Sequence, residues 1–131
     1  MKSREGLIRL KRFQADEKRR QVAQIEATIA EFERMAKDLS DQVAAEEQRS
    51  GIRDTGHFAY PTLAKAAASR RDNLLASANG MRDRLAAAQA EYAVAAEELA
   101  KLIALAERDM AQERMSGGES SSAPRSAAFA R

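Results

Sequence analysis

Val22 to Val43, VAQIEATIAEFERMAKDLSDQV, decides the fold. Its apolar track is Val22, Ile25, Ile29, Phe32, Ala36, Leu39 and Val43. A second track follows after a short break: Leu74, Ala78, Met81, Leu85, Ala88, Tyr92, Ala95, Leu99, Leu102 and Ala106. Both advance by alternating threes and fours, the repeat that keeps one helix face against a partner. The expected fold is all-α, a long antiparallel two-helix coiled coil with a disordered C-terminal tail.

Composition agrees. Of 131 residues, 32 % are charged and only 5 % aromatic, which favours long helices over a globule with a thick core. With no cysteine, neither disulfides nor thiolate metal sites are expected. Met1 to Gly6 leads into Leu7-Ile8-Arg9-Leu10-Lys11-Arg12, without the apolar run of a secretory signal. No stretch nears the roughly 20 apolar residues of a membrane span. The expected location is cytoplasmic.

Working outward, the first helix is expected over about residues 4–48. Leu7, Leu10 and Phe13 read as its first apolar stripe, interrupted by Asp16-Glu17-Lys18-Arg19-Arg20, so a phase shift is expected near 14–20. Ser50-Gly51-Ile52-Arg53-Asp54-Thr55-Gly56 reads as the turn, within a connection of about 49–60. Pro61 suits the first turn of a second helix, expected over about 61–113. Gly80 is its weak point. The hairpin thus covers 1–115, and the Ser/Gly-rich 116–131 reads as the tail.

Charge selects the antiparallel pairing. Residues 1–20 carry eight Lys/Arg against three Asp/Glu, and 91–113 carry two against six. Residues 21–50 carry three against seven, and 61–84 carry five against two. Antiparallel helices set opposite signs side by side, whereas parallel helices set like beside like.

Chemistry is scarce. His57 is the lone histidine, and it lies in the turn; Glu46-Glu47 and Glu97-Glu98 read as solvated carboxylates. Neither a phosphate-cradling loop nor a nucleophile elbow occurs. No catalytic residue, metal or cofactor is expected, and the chain does not read as an enzyme. The basic clusters Lys11-Arg12 and Lys18-Arg19-Arg20 lack interleaved aromatics and are broken by Asp16 and Glu17, against nucleic-acid binding. Tyr60, Ala64, Ala67 and Arg71 continue the second track backward, beside Phe58 and Leu63. If the first helix ends near Gln48, this stripe is partly uncovered, and it either offers a docking face or packs on the end of the first helix or on the turn.

Two segments carry a family resemblance: LIRLKRFQADEKRRQVAQIE at 7–26 and HFAYPTLAKAAASRRDNL at 57–74. The first resembles the opening of flagellar export proteins of the FliJ family. The second is similar to the start of the second helix in alphaproteobacterial members. The resemblance spans about residues 1–113. It implies a stalk or chaperone component of the flagellar type III export apparatus, linking the hexameric export ATPase to the export gate membrane protein and escorting other export chaperones. Such a protein is cytoplasmic, peripheral at the inner membrane through its partners. The resemblance places a gate-binding stripe on Tyr60, Ala64, Ala67 and Arg71; small Ala64 shifts weight to Phe58 or Leu63. It places Lys2, Arg4, Arg9, Lys11 and Arg12 inside the ATPase ring. A general coiled-coil scaffold or prefoldin-like holdase is the alternative reading.

Overall fold

The computed structural model describes residues 2–129, with side chains described from Arg4 to Gly117. Two helices, α1 (Lys2–Ser50) and α2 (Thr62–Phe129), are joined by a short connection, giving an all-α helical hairpin. Among the described residues no helix is long and apolar enough to cross a membrane.

α1 starts and ends two residues beyond the expected 4–48, and α2 begins one residue after Pro61. The Pro61 carbonyl accepts from the Lys65 N–H at 3.1 Å, so Pro61 stands where its missing N–H costs nothing. The backbone of α2 continues to Phe129, past the expected end near 113. The expected tail, 116–131, falls mostly on side chains outside the described set, and its last two residues lie outside the described residues altogether.

Contacts divide the chain into an end unit, Met1–Glu17 with Tyr92–Arg131, and a turn unit, Lys18–Glu91. In the turn unit the buried residues of α1 are Ile29, Ala36 and Val43, and those of α2 are Ala64, Ala67, Ala78 and Ala88. Five of these seven are alanine, so the helix backbones can approach closely while little apolar area is removed from water. Leu39, Tyr60 and Ala68 pack against the cluster of Val43, Ala64 and Ala67 beside the turn. Arg82 of α2 donates to Glu33 of α1 at 2.5 Å, and Lys18 lies 3.5 Å from Glu91. Both pairs join opposite charges across the two helices, as the antiparallel reading requires.

In the end unit the inward residues of α1 are Arg4, Ile8, Lys11 and Ala15, of which only Ala15 is fully buried. Arg4 pairs with Asp109, and Lys11 donates to Glu98 at 3.2 Å. Those positions correct the expected phase shift near 14–20. Arg4, Ile8, Lys11, Ala15, Lys18 and Val22 keep the four-three rhythm unbroken into the first track. Lys and Arg hold alternate seam positions, where their aliphatic stems cover the partner helix and their heads reach its carboxylates. Leu7, Leu10 and Phe13, read as the seam, are instead 43, 51 and 61 % exposed.

Gly51 ends α1. Its φ of 75° is left-handed, and its N–H bonds to the Glu47 carbonyl at 2.8 Å, closing the last turn. The Ser50 hydroxyl accepts from the Ile52 N–H at 3.1 Å. The Asp54 carboxylate then accepts from the Gly56 N–H at 3.0 Å, which is the local bond that makes aspartate a turn former.

Candidate functional site

Two places in the chain gather the expected functional residues, one in each unit. The turn unit holds the first. The His57 N–H bonds to the Asp54 carbonyl at 3.1 Å, and the Tyr60 N–H bonds to the His57 carbonyl at 3.0 Å, so two successive turns carry the chain into α2. His57 Nδ1 accepts from the Ala59 N–H at 3.0 Å. The ring stacks on Phe58 with centroids 4.7 Å apart. Phe58 itself is 97 % exposed and Leu63 is 55 % exposed.

The rest of the expected gate stripe faces inward. Ala64 is fully covered and Ala67 nearly so, because Leu39 and Val43 of α1 pack over them. Of the two readings of the stripe, packing on α1 holds for Ala64 and Ala67, while Phe58 and Leu63 stand out as apolar surface. Tyr60 is half-buried, and its hydroxyl donates to Glu47 Oε2 at 2.9 Å. Burial pushes the Tyr60 phenol above its ordinary range; the Glu47 hydrogen bond and negative charge add to the rise, and Arg71 opposes it. Arg71 bonds Asp72 at 3.1 Å and is half-buried. Tyr60 and Glu47 thus clamp the start of α2 to the end of α1, a structural task.

The end unit holds the second place. Of the expected ATPase-facing residues, Arg4 and Lys11 are already engaged by Asp109 and Glu98. Arg9 and Arg12 are exposed and form no ion pair among the described residues. The Lys2 side chain lies outside the described residues. A hollow of about 60 Å³ lies between Arg4, Ile8, Ala106 and Asp109.

The paired carboxylates are spoken for. Glu46 pairs with Arg49 and Glu97 with Lys101. Among the described residues no group of three or more His, Asp or Glu is arranged to hold a metal. Arg9 and Arg12 stand exposed in one unit and Phe58 in the other. Sequence reading missed the outward Leu7, Leu10 and Phe13; the detectable signal was the heptad rhythm running through Arg4, Lys11 and Lys18.

Compared with family models, curated proteins and solved structures, the chain matches none.

Proposed function

We propose that this chain is a stalk or chaperone component of a flagellar type III export apparatus, resembling the FliJ family. In this reading the start of α1 engages the hexameric export ATPase, and the turn reaches the export gate membrane protein. The protein works in the cytoplasm, peripheral at the inner membrane, and also meets other export chaperones. One observation carries the reading: the hairpin exposes different groups in its two units. Exposed Arg9 and Arg12 mark the end unit, and exposed Phe58 with Leu63 marks the turn unit. The gate contact is assigned to Phe58 and Leu63, since Ala64 and Ala67 serve the seam.

The test pairs two double variants. Arg9→Glu with Arg12→Glu abolishes co-purification with the export ATPase and leaves helicity unchanged. Phe58→Ala with Leu63→Gln leaves ATPase co-purification intact but abolishes gate binding and swimming. A deletion strain that still swims overturns the assignment, as does ATPase binding indifferent to both arginines.

A further inference from the structure

We propose that the end unit carries a docking groove for a third helix, supplied by another protein, with an apolar stripe and acidic edges. The proposal does not rest on the export reading. Leu7 sits immediately before Ile8 in the seam of α1, and Leu105 immediately before Ala106 in the seam of α2. In an antiparallel pair, these preceding positions flank the seam on one and the same side. Leu10 lies one turn along from Leu7 on that side of α1. All three remain exposed, at 43, 51 and 42 % for Leu7, Leu10 and Leu105. They are apolar residues that the hairpin does not use, in the place where a third helix meets a two-helix coil.

On the outer face of α2, beside Leu105, lies an open hollow lined by Lys101, Ala104, Leu105 and Arg108. Its floor is apolar and its polar residues are both cationic. Lys101 is partly neutralised by Glu97, while Arg108 has no ion pair among the described residues. An incoming helix with carboxylates along its edge would meet Arg108 and Lys101 as its own leucines covered Leu7, Leu10 and Leu105. A second copy presenting the same face would bring arginine against arginine, which opposes self-association through it.

The experiment uses the full chain and two designed helical peptides about three heptads long, each with leucine at the seam positions. One carries glutamate along its edges and the other lysine. Fluorescence anisotropy at fixed salt reads binding. The glutamate peptide is expected to bind about tenfold tighter or better than the lysine peptide. Leu7→Gln with Leu105→Gln weakens it about tenfold or more without loss of helicity, and Lys101→Glu with Arg108→Glu abolishes the preference. Leu10→Gln alone gives a second readout should the double variant fold poorly. Equal binding of both peptides, or binding indifferent to Leu7, Leu10 and Leu105, overturns the proposal. It is equally overturned if sedimentation finds a dimer of the chain that Leu7→Gln with Leu105→Gln splits. The same holds if phosphatidylglycerol vesicles bind through these leucines while the glutamate peptide does not.

Discussion

Replacing Lys11 and Lys18 by leucine is expected to leave stability unchanged or slightly raised, although each lysine sits in a cross-helix ion pair. Their side chains are only 31 and 37 % exposed, so a leucine there would be about two-thirds buried. Burial of that extent contributes ~1–2 kcal/mol per leucine. The lysine stems already cover part of the seam, which removes roughly half the gain. Losing each pair costs ~0.2–1 kcal/mol. Glu98 and Glu91 are 52 and 57 % exposed, so they rehydrate rather than remain as stranded charges. The net gain for the double variant is about 0.3 kcal/mol, or about 1 °C in melting temperature. Urea unfolding followed by circular dichroism measures it. Leu10→Gln is the control: at 51 % exposure it should shift stability by no more than ~0.5 kcal/mol. If the lysine replacements lower stability while Leu10→Gln costs more than about 1 kcal/mol, the heptad phase of α1 is wrong and the reasoning fails.

Three further outcomes are expected. Gly80 is exposed in the interior of α2 with open space around it, so Gly80→Ala should raise stability by ~1 kcal/mol in the same denaturation assay. Ala64 has no exposed surface and packs beside Val43, so Ala64→Leu should cost ~1–3 kcal/mol by overpacking, seen as a lower melting temperature. The raised Tyr60 phenol means that the folded state holds its proton more tightly than the unfolded chain. Its contribution is complete below pH about 10 and is lost as pH rises through the higher folded value, so Tyr60→Phe should flatten the alkaline fall in stability above that pH.

The turn unit was largely legible in the sequence because its seam is written in apolar letters. Ile29, Ala36 and Val43 in α1, and Ala78 and Ala88 in α2, stand where the four-three spacing put them, and all are buried. The end unit was not, because hydrophobicity alone passes over a seam position held by a long cation. Arg4, Lys11 and Lys18 contribute methylenes to the interface and charge to its edge, so the eye moves to Leu7, Leu10 and Phe13 instead. The stripe at Ala64 and Ala67 was legible as a continuation of the second track, but not its cover. That cover depended on the register that sets Leu39 and Val43 of α1 against Ala64 and Ala67. Phe58 was singled out by type, and its near-complete exposure follows from the two tight turns that hold it outside the seam.

Cations at alternate seam positions make dissolved electrolyte a control knob for the end unit. Arg4 with Asp109 and Lys11 with Glu98 are bonds that added ions weaken, whereas methyl groups meeting around Val43 are indifferent to them. Brine should therefore loosen the helix pair at the extremity of α1 and leave the grip beside Gly51 untouched.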